Sequence, residues 1–409
     1  MLFQFGKNHS FTRHHIIALL LLFNSFSWYF LGLLMVNKLA NVVAENSLTN
    51  LYLRSAFPLS IIVSALIGSI FWLRARKTSF FYIWLFFGTI ASLFPAVPIG
   101  NSFAGAIIVI VVLGISLGFG MPSLLRSFTE SVPIENRGTI GGLTFFMVTA
   151  SAPFVIVTMS MLDLVQSAMF FAIWRSWSIP ILLAFPKKSK SQLHYERKTS
   201  FLSIFNNKAF VLYFLAWLMF SMVDGFEARI TFLHKEELGF AMNVVEPIFA
   251  GFSALIGGVV ADRIGRKRVI IFGFVSLGIA YAILGIASHL WISWFLYFAI
   301  DGIAIGLLWM MFTIVIWGEL SRFNTEKYYA VGEAPFFLTM IASLLVAPYV
   351  ALIPETSAFS LAAFFLFIAV IPLLYVRETL PEKKIQQPQL EIYTEEALKL
   401  RQKVEQKSK

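Results

Sequence analysis

The sequence predicts an all-α membrane protein with twelve transmembrane helices, arranged as two pseudo-symmetric bundles of six. Three observations support this fold class. Of the 409 residues, 58% are apolar and only 13% are charged, which is more apolar surface than a water-soluble core can bury. The apolar runs are about 20 residues long, the length a helix needs to cross a bilayer, and they lack the alternation of barrel strands. A polar stretch divides them into six and six.

The helices follow one another through short connections that carry most of the Lys and Arg residues. The apolar runs cover residues 16–36, 51–73, 79–98, 103–124, 138–161, 164–185, 208–231, 244–261, 269–288, 291–317, 331–353 and 358–376. The basic residues concentrate in alternate connections, and the opposite set holds only Lys38 and Lys235. This bias places the N- and C-termini in the cytoplasm of a multi-pass protein, for which we expect the plasma membrane. The net charge of +10 is therefore topogenic, and no nucleic-acid partner is expected.

The chain divides into four segments. We predict an N-terminal bundle over 1–185, a cytoplasmic linker over 186–207, a C-terminal bundle over 208–379 and a cytoplasmic tail over 380–409.

The two bundles are related by an internal repeat. Gly114 and Gly118 precede Glu130 in the first half, as Gly302 and Gly306 precede Glu319 in the second. The offset of about 190 residues indicates a duplicated six-helix unit, which suits alternating access around the seam between halves.

Three motifs carry a family resemblance. The loop Gly258-Val-Val-Ala-Asp262-Arg263-Ile-Gly265-Arg266-Lys267-Arg268 resembles the signature loop of the major facilitator superfamily. Glu130-Ser-Val-Pro133-Ile-Glu135-Asn-Arg137-Gly138 and Arg377-Glu378-Thr379-Leu-Pro381 resemble its sugar-porter and metabolite:proton symporter branches. The resemblance implies the major facilitator fold and a gating role for the loop residues.

Within these motifs we predict gating residues at Asp262, Arg263, Gly265, Arg266, Glu130 and Arg137. Gly265 permits a tight reversal between two helices. A purely topogenic basic loop is the alternative interpretation. The first-half counterpart, which ends in Arg74-Ala-Arg76-Lys77, has no Asp, so a symmetric pair of gates is not expected.

Carboxylates inside the apolar runs are candidates for substrate and proton coupling, because a charge in the bilayer is costly unless it is functional or paired. Asp301 lies near the middle of the tenth run, and the resemblance places it on the central cavity. Asp224 and Glu227 share one face of the seventh run. The alternatives are a structural hydrogen bond for Asp301 and a cluster of Glu227 with Arg229 and Arg54 at the outer rim. Coupling is expected within residues 208–317.

Two further candidates lie in the first half. Arg175, near the middle of the sixth run, could bind an anionic solute or pair with Asp301. A misplaced span edge is a third interpretation of its position. The first run has Asn24 and no carboxylate, so Asn24 is the polar cavity candidate there.

The leading functional hypothesis is a secondary active transporter that works by alternating access, as a proton-coupled symporter of a sugar, organic acid or similar metabolite. The alternative is a proton-driven efflux antiporter for hydrophobic or drug-like compounds. The sequence has no G-x-x-x-x-G-K phosphate loop, no cysteine, and no histidine pair at metal-ligand spacing. The missing phosphate loop argues against ATP-driven transport, and the missing ligand pairs argue against a metal site. No helix combines a nucleophile with a base, so we expect no enzymatic activity, no catalytic residue and no cofactor. The expected partners are a small-molecule substrate, protons and the lipid bilayer, around a monomer.

Overall fold

The computed structural model describes residues 13–75, 78–97, 100, 102–183, 200–233, 235–321, 324–350 and 352–381. Most of the predicted linker and tail, together with Arg76 and Lys77, lie outside the described residues. Within the described ranges the ordered elements are helices and no strand occurs.

Each half contributes six helical rods. The first half consists of α1 (Arg13–Val43), α2 (Ser47–Ala75), α3 (Thr78–Leu93), α4 (Phe103–Gly118, continued as Met121–Ser131), α5 (Arg137–Met161) and α6 (Leu164–Ser176 and Ser178–Leu183). The second half consists of α7 (Lys208–Leu233), α8 (Glu246–Ile264, preceded by Lys235–Phe240 and a π-helical turn Ala241–Val245), α9 (Arg266–Ala287), α10 (Trp291–Met310, a π-helical turn Met311–Ile316 and Trp317–Leu320), α11 (Thr325–Gly332 and Ala334–Val350) and α12 (Glu355–Tyr375).

The predicted fold class is confirmed. Eleven of the described helices are long and apolar enough to cross a membrane. The remaining rod is α6, which is interrupted at Trp177 and so forms two shorter helices. Both pieces fall within the sixth predicted apolar run, which accounts for the twelfth rod.

Glycines pack the same pair of helices together in each half. In the first half, Ser64 of α2 donates a hydrogen bond to the carbonyl of Gly114 in α4 at 3.4 Å. In the second half, Ser253 of α8 donates to the carbonyl of Gly302 in α10 at 3.5 Å. A Cβ atom would lie 2.8 Å from a carbonyl oxygen of α2 at Gly114 and 2.5 Å from one of α8 at Gly302. The repeat read from the glycine spacing therefore corresponds to a shared helix-packing contact.

The two halves meet closely where α5 begins and α8 ends. A Cβ atom on Gly138 would lie 2.5 Å from the carbonyl oxygen of Gly258, so the two backbones touch. This contact lies on the side of the α4–α5 and α8–α9 connections, which we call the predicted cytoplasmic face. The opposite side is the predicted outer face. Between α8 and α9, Gly265 has a φ of 104°, which confirms the predicted tight reversal.

Candidate functional site

A central cavity of about 550 Å³ lies between the two halves. Helices α1, α2, α4 and α5 form one wall, and α7, α8, α10 and α11 form the other. Most of the lining is apolar, and the aromatic members are Phe26, Tyr29, Phe30, Phe145, Tyr329, Trp309, Phe336 and Phe337. Tyr29 and Phe337 make an edge-to-face contact across the seam, with ring centroids 5.9 Å apart. The cavity is of a size that holds one small organic molecule.

The charged groups on the cavity wall are carboxyl groups, and all of them belong to the second half. Asp224 and Glu227 come from α7, Glu246 from the start of α8 and Glu333 from α11. The lining contains no Lys, Arg or His among the described residues. Glu333 accepts a hydrogen bond from Nε1 of Trp317 at 2.8 Å. A cavity with acidic groups and no basic group attracts cations and repels anions.

Asp301 lies behind the cavity wall, which differs from its predicted position on the wall. Its side chain is 2% exposed and is not part of the cavity lining. Asp301 lies on α10 one turn nearer the predicted outer face than the cavity residue Ile305. At this level the start of α8 packs against the neighbouring Gly302. Asp301 remains within electrostatic range of Glu246 and Glu227.

Two buried tyrosines lie beside these carboxyl groups. The rings of Tyr281 and Tyr297 stack at 5.5 Å, and neither hydroxyl makes a hydrogen bond with a described residue. The Tyr297 hydroxyl approaches Glu227 without meeting the geometry of a hydrogen bond. Tyr297 precedes Asp301 by about one helical turn on α10 and also lies near Glu227, so it neighbours both carboxyl groups.

Arg175 is buried inside the first half, away from the cavity. Its guanidinium carbon lies 4.1 Å from the ring centroid of Trp28 and 4.4 Å from that of Trp84. Nη1 donates hydrogen bonds to Asn24 at 2.8 Å and to Ser25 at 3.0 Å. Arg175 is therefore held between two aromatic faces, an arrangement that stabilises a cation in a dry site.

The predicted pair of Arg175 with Asp301 is not formed. The two residues lie in different halves, and the electrostatic neighbours of Asp301 are carboxyl groups of its own half. Asn24 is also buried outside the cavity, since its Nδ2 donates to the carbonyl of Trp174 at 2.7 Å while its Oδ1 accepts from Arg175.

Asp262 joins the two halves at the predicted cytoplasmic face. Its carboxylate accepts hydrogen bonds from the backbone N–H of Gly138 at 2.9 Å and of Thr139 at 2.6 Å, and from the Thr139 hydroxyl at 2.6 Å. These donors lie in the first turn of α5, so an acidic side chain of the second half caps a helix of the first half. A carboxylate is favourable at a helix N-terminus because the free N–H groups and the helix dipole are positive there.

Arg266 connects this cap to neighbouring segments. It is fully buried and pairs with Asp262 at 2.8 Å and with Glu319 of α10 at 3.1 Å. Its Nη2 also donates to the carbonyl of Ile134 in the first half. The carboxylate of Glu378 accepts from the backbone N–H of Arg266 at 2.8 Å, so the motif after α12 caps α9.

The remaining gating candidates have different neighbours. Arg137 donates to the carbonyls of Val132 and Thr129 and so stays within its own half. Glu130 pairs with Arg126 at 2.6 Å on α4. Arg263 is exposed, and no described contact links it to the other half.

A second link between the halves joins α4 to α11. Arg126 forms an ion pair with Glu326 at 2.7 Å, and Thr129 shares a hydrogen bond with Tyr329 at 3.1 Å. The Tyr329 hydroxyl also donates to the carbonyl of Ile314. The predicted cytoplasmic end of the cavity is therefore closed by two groups of polar contacts between the halves, one around Asp262 and one between α4 and α11.

Arg54 and Arg229 do not form the ion cluster with Glu227 that was the alternative interpretation of this carboxylate. Arg54 donates to Asn50 at 2.6 Å and to Asn41 at 2.9 Å. Arg229 donates to Ser343 at 3.1 Å.

Sequence reasoning missed two cavity carboxylates, Glu246 and Glu333. Both lie near the start of an apolar run, where an acidic residue is ordinarily placed at the membrane surface. The π-helical turn at Ala241–Val245 is a signal of a functional site that becomes visible only in the structure.

Comparisons with known proteins agree with this architecture. The family model of the Major Facilitator Superfamily matches residues 209–404. The proton:xylose symporter XylE, solved with 6-bromo-6-deoxy-D-glucose, superposes with a TM-score of 0.71 at 14% identity, covering 90% of this chain and 96% of that one. The human organic anion transporter MFSD10 superposes with a TM-score of 0.60 at 14% identity, covering 88% and 98%.

One curated protein shows sequence similarity over a shorter stretch. The Na(+), Li(+), K(+)/H(+) antiporter of Planococcus maritimus is 28% identical over 109 residues, which is 26% of this chain and 25% of the antiporter. The match thus spans about a quarter of the antiporter's length.

Proposed function

This chain belongs to the major facilitator superfamily of membrane transporters, and we propose that it exchanges a hydrophobic organic cation for protons by alternating access. The observation that carries this proposal is the cavity wall. It combines aromatic and aliphatic side chains with four carboxyl groups and has no basic residue among those described. An apolar cation would place its body against the rings and its charge against the carboxylates.

The cavity chemistry gives less support to a sugar or an organic acid. A sugar requires many hydrogen-bonding groups, whereas the polar neutral side chains of the wall are few, namely Tyr29, Thr149, Thr231, Asn243, Trp309, Thr313 and Tyr329. An organic anion would face four acidic groups and no basic side chain among the described residues of the wall. The sequence raised proton-driven antiport of a hydrophobic compound as the alternative. That is the function we propose, and the acidic cavity wall narrows the substrate to a cation.

Protons are the natural counter-substrate of such a site. A carboxylate in a low-dielectric site is unfavourable when alone and is neutralised either by a bound cation or by a proton. The two therefore compete for Asp224 and Glu227, so binding of one releases the other. Tyr297 and Asp301 extend this acidic cluster behind the wall and offer a buried place for a second proton.

Alternating access requires the contacts at the predicted cytoplasmic face to open. In the present conformation Asp262 caps α5 and Arg126 pairs with Glu326, so the halves are joined there. Both contacts are polar, and water can replace their partners when the halves separate.

A monovalent metal ion is a second candidate substrate, favoured by the similarity to the Planococcus maritimus antiporter. Against it, no group of three or more His, Cys, Asp or Glu in the described part of the chain is arranged to hold a metal ion. The organic cation is therefore the main proposal.

The test is transport in proteoliposomes. Tetraphenylphosphonium should exchange for protons down an imposed pH gradient, and its binding should tighten as pH rises because protons compete. Asp224→Asn and Glu227→Gln should each weaken binding by about tenfold or more, from the loss of a charged partner. Glu45→Gln, the same chemical change at an exposed position outside the cavity, is the matched control.

Three results would contradict the proposal. Binding that is independent of pH would exclude competition with protons. Tetraphenylphosphonium uptake that is unchanged in Glu227→Gln would exclude binding of the cation by the carboxylates of the cavity wall. Exchange of Na⁺ or K⁺ for protons without exchange of the organic cation would instead favour the metal-ion candidate.

A further inference from the structure

A second cavity of about 480 Å³ opens beside the central one, between α7, the end of α11 and the first half of α12. Its lining is apolar except for two residues, Glu227 and Ser357. Glu227 also lines the central cavity, so this one side chain belongs to both spaces. We call the second space the lateral pocket.

The lateral pocket faces the bilayer. Met222 and Phe226 on α7, and Leu361 and Phe365 on α12, are exposed apolar side chains at its rim. The pocket lies in the predicted outer half of the membrane, because it involves the last turns of α7 and the first turns of α12. Lipid chains therefore surround its opening.

We propose that the lateral pocket receives the alkyl chain of an amphiphilic cation whose positive head group binds at Glu227. The proposal rests on the cation-exchange function and adds the shape of the substrate and its route. The head group occupies the central cavity, while the chain passes between α7 and α12 into the outer half of the bilayer. The substrate can then move between protein and membrane without its chain crossing water.

The negative charge of Glu227 favours an amphiphilic cation over other amphiphiles as the occupant of the lateral pocket. A chain inside the pocket and a chain inside the bilayer are both in apolar surroundings, so burial of the chain alone gives no preference for the protein. The preference must come from the head group, and Glu227 is the charged residue that the pocket offers. An anionic lipid head group would be repelled there, and an uncharged one would gain only a hydrogen bond.

The experiment uses the full-length protein in liposomes and a dodecyltrimethylammonium probe with a diazirine at the end of its chain. After irradiation, mass spectrometry should find the label on α12 between Ser357 and Phe365. Dodecanol with the same diazirine should label this segment at least about tenfold less, because it lacks the charge. Glu227→Gln should reduce labelling by the cation and leave labelling by the alcohol unchanged.

A pair of variants tests the route. Ala362→Trp fills the lateral pocket without touching the central cavity, and should reduce labelling and exchange of the dodecyl cation by about tenfold or more. Exchange of tetraphenylphosphonium, which has no chain, should stay within about twofold of the native rate. Ala150→Trp, on an exposed face of α5 outside both spaces, is the matched control and should change neither.

The outcomes separate the two proposals. Three results would overturn the proposal that the lateral pocket receives the alkyl chain. These are label found elsewhere than on α12, equal labelling by the alcohol and the cation, and equal effects of Ala362→Trp on exchange of the two cations. Absence of proton-driven exchange of either cation, with specific labelling of α12 intact, would overturn the exchange function and leave the binding site standing.

Discussion

Replacing Asp262 with Asn should shift the protein from the present conformation towards one open at the predicted cytoplasmic face. Besides its ion pair with Arg266 of the same half, the Asp262 carboxylate accepts three hydrogen bonds from α5 of the other half, at 2.6 to 2.9 Å. A hydrogen bond to a charged acceptor contributes about 1 kcal/mol more than one to a neutral acceptor. Three bonds therefore lose about 3 kcal/mol between the halves, which is a factor of about 150 in the equilibrium.

The natural absence of cysteine makes this shift measurable. Val315 of α10 is fully buried, and its methyl group would lie 3.4 Å from a Cβ placed on Gly141 of α5. A single cysteine at Val315 should react with a polar maleimide only when the halves separate, so its rate follows the open fraction. In the Asp262→Asn background the rate should rise by up to about 150-fold, less where the open form already dominates.

Arg263→Gln is the control for this measurement. It removes a neighbouring charge from the same loop but no described contact to the first half. If Asp262→Asn left the labelling rate at Val315→Cys unchanged, or if Arg263→Gln accelerated it equally, the cap on α5 would not hold this face closed.

Three other substitutions test the packing on which the site depends. Gly138→Ala should slow exchange by about tenfold, because the new Cβ meets the Gly258 carbonyl. Gly141→Ala is the control and should leave the exchange rate unchanged, because its Cβ would lie 3.4 Å from the nearest side chain. Equal exchange rates of the two variants in liposomes would contradict the prediction. Arg175→Met should lower the thermal unfolding temperature while tetraphenylphosphonium affinity stays within about twofold, whereas a tenfold loss of affinity would restore a substrate role for the guanidinium. Gly114→Ala and Gly302→Ala should reduce the yield of folded protein to similar extents in size-exclusion chromatography, and a strong effect of only one would argue against equivalent packing.

The positions of the helices were predictable because backbone amides in lipid cannot form hydrogen bonds with water. In a bilayer each amide must be bonded within its own segment, so apolar runs of about 20 residues become helices whatever their neighbours are. The repeat was also visible, since glycines that allow close helix approach must recur at the same places in both halves. Gly265 followed from a similar steric argument.

The partners of buried charges were not predictable from depth. Arg175 and Asp301 each fall near the middle of an apolar run, which predicts similar depths, but depth does not determine which helices face each other. Arg175 instead packs between Trp28 of α1 and Trp84 of α3. Their spacing in the sequence gives no sign of this contact. The cost of a buried guanidinium is met there by two aromatic faces rather than by a carboxylate.

Glu246 and Glu333 were missed because the helices extend beyond their apolar runs. A polar helical segment from Lys235 and a π-helical turn precede α8, so Glu246 lies about three turns inside a continuous rod. Likewise α11 begins at Thr325, ahead of the apolar run that starts at residue 331. Hydropathy marks where lipid contact begins, and cavity residues lie where the protein shields polar groups from lipid.

The concentration of cavity carboxylates in one half has an electrical consequence. If the halves rock against each other, Asp224, Glu227, Glu246 and Glu333 travel together, and the facing wall has no basic residue in the part of the chain that the structure describes. Moving one elementary charge across a membrane changes the free energy by about 2.3 kcal/mol per 100 mV. In the exchange cycle the carrier is loaded with cations in one direction and with protons in the other, so each crossing moves a nearly neutral body, whereas an empty carrier would cross as an anion. Membrane voltage would then oppose or favour only crossings of the empty carrier, and a current in the absence of substrate would report how many of its carboxylates are ionised.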